Sequence, residues 1–191
     1  MGCCYSAPMA NRHPSTSPKL PDIWLVTDAR NDAALGRALK RLPRGSGIVY
    51  RHYHLPPAER RARFETVKRA AHARGHLVVL SGSAREARNW GADGAYGPPR
   101  RLGPGPAALR LVTAHSLREI SKARNARAAA IVLSPVFPTR SHPDASALGA
   151  VRFLLLARRS PLPVVALGGM DRHYANRLRW RKWAAIDGLS R

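Results

Sequence analysis

Short apolar runs alternate along this chain with longer stretches whose apolar residues recur every three or four positions. The runs are rich in Val, Ile and Leu, and each ends at a cluster of Gly, Pro, Ser, Thr or Asp. A continuous run of that kind predicts a strand covered on both faces, as in a parallel sheet. Strands are predicted over residues 22–28, 47–53, 76–80, 91–96, 110–113, 129–133, 163–167 and 183–187. Helices are predicted over 33–41, 57–74, a short stretch from 83, 116–127, 147–159 and 172–181. Asn31 or Asp32 is placed to cap the first helix. Pro56 and Pro57 open the second, and Gly75 ends it. Ser83 with Glu86, and Ser116 with Glu119, have capping-box spacing. Leu148, Val151, Leu154 and Leu155 repeat at helical intervals. Residues 97–106 hold too much Pro and Gly for a regular helix, so this crossover reads as a loop.

Strands and helices alternating in this way predict an α/β protein. Eight strands fit a closed (β/α)8 TIM barrel better than an open doubly wound sheet, which is the alternative. No G-x-G-x-x-G follows the first strand, which argues against dinucleotide binding. The chain is compact for a barrel at 191 residues, and no last helix is expected after the eighth strand. Residues 1–20 carry Pro, Ser and Thr without periodicity and read as a flexible tail, leaving 21–191 as one domain. In a barrel the site lies at the carboxyl ends of the strands.

Charge adds a second feature: 33 Lys and Arg against 11 Asp and Glu, a formal net charge of +22. Such a field attracts polyanions. The basic residues are scattered over polar helix faces, and aromatics are only 6%, too few for a base-stacking platform. Nucleic acid is therefore a partner that the pattern permits and does not favour. The two cysteines, Cys3 and Cys4, are adjacent and build neither a disulfide framework nor a four-ligand zinc site. Their absence elsewhere suits a reducing compartment, so a cytoplasmic location is expected. Residues 1–6 fit the M-G-x-x-x-S myristoylation pattern. The competing reading is a disordered leader, or a start nearer Met9. No apolar run approaches the roughly 20 residues of a membrane span.

The loops after the strands supply the candidate chemistry. Gly168 and Gly169 follow the seventh strand, where peptide N–H groups can hold a phosphate; a plain tight turn is the competing reading. Thr139, Ser141 and His142 follow the sixth strand and offer hydroxyls and an imidazole, unless that loop is merely stiffened by Pro135, Pro138 and Pro143. His115 follows the fifth strand, and an imidazole is the side-chain type best suited to proton transfer near neutrality, unless this one only packs at a helix entry. Arg51 shares a strand face with Val49 and Tyr53 and is expected to point into the barrel, toward an anionic ligand or Asp28. Arg100 and Arg101 flank the fourth-strand loop, within reach of an anion or of solvent.

These pieces resemble, in order, the thiamine phosphate synthase/TenI family of barrels. SPVFPT at 134–139 with Arg140 and Ser141 is similar to the family's G-P-[IV]-[FY]-P-T-x-T/S-K. VALGGM at 165–170 resembles the family's seventh-strand A-I-G-G-[IM], TAHSLRE at 113–119 its fifth-strand S-x-H-S-x-E-E, LVTD at 25–28 its opening L-I-T-D, and GADG at 91–94 its fourth-strand G-A-D-G. The resemblance spans residues 22–189. It implies an enzyme of thiamine biosynthesis acting on a small phosphorylated thiazole. Thr139 and Ser141 would contact phosphate or thiazole, and Gly168 and Gly169 would hold the phosphate. Arg51 and Thr113 would match the family's second-strand Arg and fifth-strand Ser. His115 would be the acid/base of TenI-type tautomerases.

The departures shape the expected chemistry. Synthases couple hydroxymethylpyrimidine pyrophosphate to a thiazole phosphate with Mg²⁺. Here Ser81 and Gly82 stand where the family carries Asn-Asp or Asp-Asp, and Pro98, Pro99 and Arg100 occupy the region of a later Asp. Val49 and Tyr53 replace a Gln and a Lys, and His142 replaces the motif Lys. No metal ligand is therefore assigned, and Mg²⁺ enters only if synthase activity survives. Without it, pyrophosphate charge would fall to Arg51, Arg100 or Arg101. The preferred reading is metal-independent, tautomerase-like chemistry through His115. Synthase activity and a non-catalytic barrel that binds phosphate or polyanions are the alternatives.

Overall fold

A computed structural model describes residues 19–104, 109–141 and 146–190. Its strands form a closed barrel in sequence order, β1 through β8. They are β1 Ile23–Val26, β2 Gly47–Tyr50, β3 Leu77–Ser81 and β4 Gly94–Gly97, then β5 Leu109–Ala114, β6 Ala130–Leu133, β7 Val164–Leu167 and β8 Trp183–Ala185. All neighbours run parallel, and β1 closes on β8 with Ile23 opposite Trp183. The first seven strands are each followed by a helix: α1 Leu35–Arg41, α2 Pro57–His72, α3 Ala84–Asn89, α4 Pro99–Leu102, α5 Leu117–Asn125, α6 Gly149–Arg158 and α7 Arg172–Leu178. A 3-10 turn, Asp187–Leu189, follows β8.

Strand periodicity divides the apolar residues between two cores. Trp24, Val26, Val49, Val79, Leu111, Val132 and Val165 fill the barrel itself. Leu25, Ile48, Val78, Leu80, Val112 and Ile131 face the helices. Two glycines make the inner core possible. A Cβ on Gly47 would overlap the Trp24 indole, and one on Gly94 would sit 2.7 Å from Leu109 Cβ. Large residues thus lie against absent side chains, which lets a narrow barrel close over an indole. The Trp24 Nε1–H donates to Pro21 O at 3.0 Å and so leaves no orphaned donor.

Several local expectations shift. β2 stops at Tyr50 because His52 adopts a left-handed φ of 42°. β4 starts at Gly94 rather than 91, because Gly91, with φ 64°, belongs to the turn after α3. Where a loop is expected over 97–106, the described residues 97–104 hold the single turn α4, opened by Pro98 and Pro99 and ended at Gly103. Neither Asn31 nor Asp32 caps α1. Asp28 instead caps a 3-10 turn, Ala29–Asn31, and Asn31 completes a reciprocal box with it. Ser83 and Ser116 do cap α3 and α5 through Glu86 N and Glu119 N. The buried stripe of α6 is Phe153, Leu156 and Ala157, whereas Val151 and Leu155 face out.

Candidate functional site

The carboxyl ends of the strands surround a cavity of about 580 Å³. Arg51, Thr113, His115, Thr139, Ser141, Gly168 and Gly169 all line it. Of the predicted site residues, His142 alone lies outside the described residues. Arg51 enters by the expected parity, although it follows β2 rather than lying within it. Asp28 is its carboxylate neighbour, with Nη2 3.9 Å from Oδ2.

His115 is exposed on the rim. Its backbone N–H donates to Glu119 Oε2 at 2.7 Å, so the carboxylate holds the residue before the helix cap. Its Nδ1 lies against the Ser134 carbonyl oxygen. A carbonyl only accepts, so Nδ1 carries the proton and Nε2 is the basic nitrogen.

The loops after β6 and β7 are tied together. Val136 N donates to Leu167 O at 2.9 Å, and Phe137 N donates to Gly168 O at 3.0 Å. Gly168 has φ 97°, and a Cβ there would lie 2.7 Å from Pro135 Cα. Gly is required on both counts. Ser141 is held from across the mouth: Arg30 Nη2 donates to its Oγ at 2.7 Å. The same guanidinium reaches Asp28 Oδ1 at 2.9 Å and Asp187 Oδ2 at 3.3 Å, joining the exits of β1, β6 and β8. Burial works against ionisation of Asp28. The hydrogen bonds from the Arg30 side chain and N–H, with the charges of Arg30 and Arg51, outweigh it and hold its pKa low.

The opposite wall carries Tyr53, Ser81, Tyr96 and Arg101. Tyr53 hydrogen-bonds Ser81 Oγ and accepts from Arg101 Nη1 at 3.4 Å. Burial, offset in part by Arg51, pushes the Tyr96 phenol up to about 12, so it stays protonated as a donor. Mg²⁺ fits this wall poorly, since its side chains offer hydroxyls and guanidinium groups and no carboxylate. A Cβ on Gly82 would collide with Glu86, whose own Oε1 is engaged by Arg60 at 3.1 Å.

A second polar group lies behind Arg51. Thr27 Oγ1 bonds His52 Nδ1 at 2.7 Å, and His52 Nε2 bonds Asp32 Oδ1 at 2.8 Å. Hydroxyl, imidazole and carboxylate in series are a nucleophile's constellation, but Thr27 is fully buried and accepts the Arg51 N–H at 2.9 Å. The chain of bonds fixes the exit of β2. Asp32, His52 and His54 also place ligand atoms within 4.8 Å of one another. Arg63 already occupies Asp32 Oδ1 at 2.6 Å, which opposes a cation there.

Sequence reasoning missed Arg30, Tyr53 as a cavity residue, and the Thr27–His52–Asp32 series. Tyr53 was detectable, because it shares the parity of Arg51. Nothing local marked Arg30, whose partners come from distant loops.

Known proteins agree with this architecture. A profile of the thiamine monophosphate synthase family matches residues 23–188. A putative thiamine-phosphate synthase 2 from Aquifex aeolicus is 34% identical over 85 residues, covering 41% of this chain and 46% of that protein. The aligned part is thus less than half of the relative. Thiamine phosphate pyrophosphorylase from Pyrococcus furiosus superposes with a TM-score of 0.71 at 21% identity, over 89% of this chain and 86% of its own. The pyrophosphorylase from Bacteroides thetaiotaomicron gives 0.57 at 16% identity, over 87% and 82%. At those identities the superpositions establish the barrel alone. The profile match spans nearly all of the barrel, and the chain belongs to the thiamine monophosphate synthase family.

Proposed function

We propose that the protein acts on a phosphorylated thiazole by proton transfer without a metal ion. The carrying observation is His115, a rim imidazole whose Nδ1 is fixed on Ser134 O and whose Nε2 is left basic. In this reading Gly168 and Gly169 hold the phosphate through backbone N–H groups. Thr139 and Ser141 contact the phosphate or the thiazole, Arg51 and Thr113 bind the same substrate, and His142, outside the described residues, is assigned to it from sequence alone. His115 takes a proton from one ring position and returns it at another, so the reaction has no net redox change. A placed acid/base contributes about 10²–10⁴-fold. His115→Ala should therefore lower tautomerase turnover by at least about 10²-fold. Full turnover in that variant would refute the assignment.

Family membership and the names of the relatives favour a second reading, the coupling of hydroxymethylpyrimidine pyrophosphate to thiazole phosphate. The assay supplies both precursors with and without Mg²⁺ and measures thiamine phosphate. Chelator-sensitive product would replace the first reading with the second.

A further inference from the structure

The sequence scatters its cations along every helix, and the fold sorts them. Each helix ends opposite the mouth and passes through a short loop to the next strand. Arg44, Arg127, Arg159, Arg179 and Arg181 lie on those loops, all exposed. Among the described residues, the carboxylates of these loops and of the stretch leading into β1 are Asp22 and Asp93. Both are engaged: Asp22 by Lys182 and Arg181, Asp93 by His72 Nε2 at 2.8 Å and Val78 N at 2.7 Å. Neither is left to neutralise Arg44, Arg127, Arg159 or Arg179. By contrast Asp28, Glu86, Glu119, Asp171 and Asp187 lie at strand exits or in the first turns after them. One end of the barrel is therefore almost purely cationic.

Two of these arginines occupy a position that favours glycine. The helices α2, α3, α5 and α7 end in the same turn, in which the residue after a left-handed one donates its N–H back to the last turn. After α2 and α3 the left-handed residue is Gly75, with φ 70°, and Gly91, with φ 64°. His76 N then reaches Ala71 O at 3.0 Å, and Ala92 N reaches Ala87 O at 2.9 Å. After α5 and α7 it is Arg127, with φ 52°, and Arg179, with φ 49°. Ala128 N reaches Ala123 O at 3.3 Å, and Trp180 N reaches Ala175 O at 3.0 Å. A side chain crowds the backbone in that conformation, which glycine adopts freely. The helix dipole does not call for these two, since Lys122, Arg124 and Arg177 already put cations in the last turns.

We propose that this end of the barrel is a docking surface for the phosphodiester backbone of a duplex nucleic acid, bound without regard to base sequence. Guanidinium groups present paired donors that match phosphate oxygens. Contacts of that kind position a duplex and carry no sequence information. Single strands are held by stacked aromatics, whereas Trp90 and Trp180 at this end pack on Phe64 and Phe153. A bilayer is met with inserted apolar side chains, and the exposed Tyr53, Leu117, Val151 and Leu155 all lie off these loops. The surface faces away from His115 and Gly168, so it is independent of the chemistry proposed at the mouth.

Fluorescence anisotropy of the full chain with a labelled, random-sequence DNA duplex of about 20 base pairs tests it. Affinity should fall log-linearly between about 50 and 200 mM salt, and a duplex of unrelated sequence should bind equally. Arg127→Gly combined with Arg179→Gly should weaken binding by about tenfold or more and lower the salt slope by about 2. Its melting temperature should hold or rise, because glycine relieves the turn. Arg44→Ala combined with Arg159→Ala, on other loops of the same end, should weaken binding comparably and keeps the test open if the glycine variant misfolds. Arg85→Ala combined with Arg118→Ala removes the same charge from the first turns of α3 and α5, at the mouth, and should change affinity by less than about twofold. Absence of duplex binding at low salt, equal weakening by the mouth pair, or capture by phosphatidylserine vesicles without capture of the duplex would each overturn the proposal. A clear fall in melting temperature of the glycine variant would overturn it too, by showing that arginine serves the turn itself.

Discussion

Single residues close this barrel and stitch its mouth. Asn31 is buried, and its Oδ1 accepts from Asp28 N at 2.9 Å. Its Nδ2 donates to Val26 O at 3.0 Å and Ile186 O at 3.4 Å, which joins the exits of β1 and β8. Asn31→Ala removes the side-chain partner of Asp28 N, Val26 O and Ile186 O, of which Ile186 O keeps the Ser190 hydroxyl at 2.6 Å. The expected loss of stability is about 1–3 kcal/mol, from urea denaturation. A change below about 0.5 kcal/mol would mean that water replaces the amide at no cost. Gly168 shows the other kind of residue-scale constraint, where a left-handed φ and a close Pro135 exclude any side chain.

At the scale of elements, α6 tests how the helices bind the barrel. Phe153 is fully buried and meets Trp180 edge-on, with ring centres 5.2 Å apart. Phe153→Ala should cost about 3–5 kcal/mol in denaturation, by lost transfer energy and the cavity left behind. Val151 is 73% exposed on the same helix, and Val151→Lys should change stability by less than about 0.5 kcal/mol. Comparable losses in both variants would show that the outer face of α6 is covered in solution. The apolar spacing of Leu148, Val151, Leu154 and Leu155 located the helix correctly. Of the four, Leu148 and Leu154 pack partly buried against the core while Val151 and Leu155 face out, because several apolar stripes coexist on one helix and only packing selects among them.

The whole molecule should lose stability in acid in two stages. Burial lowers the pKa of His52, despite the Asp32 hydrogen bond, and burial also lowers that of His76. Asp32, Arg63, His54 and the stacked Tyr50 ring are charged or titratable groups beside His52. The unfolded chain protonates its histidines below about pH 6.5, while the folded chain resists. Stability is thus complete above that value and declines as pH falls toward the folded pKa values. The carboxylates add a second stage. At Asp22 the Lys182 hydrogen bond is the chief cause of a lowered pKa; at Asp28 and Asp32 hydrogen bonds to Arg and His overcome burial. Their contribution is lost as pH falls below about 4. Melting temperature should fall between pH 7 and 5.5, and fall less steeply in His52→Gln. An unchanged slope in that variant would contradict the assignment.

The sequence by itself determined the number and order of strands, the parallel alternation, and which side of β2 carries Arg51. These follow from short apolar runs, from turn residues and, for Arg51, from the strand period of two, all of which act over a few positions. It also placed Thr139, Ser141, His115 and the glycine pair at strand exits, because the strands end where their apolar runs end. Tertiary structure alone decided that Arg30 meets Asp187 and Ser141, that Arg60 sits beneath Tyr53, and that Glu86 turns to Arg60. Those pairings join residues far apart in the chain. They exist only because ring closure brings the eight strand exits together, and no local pattern encodes a distance across the ring.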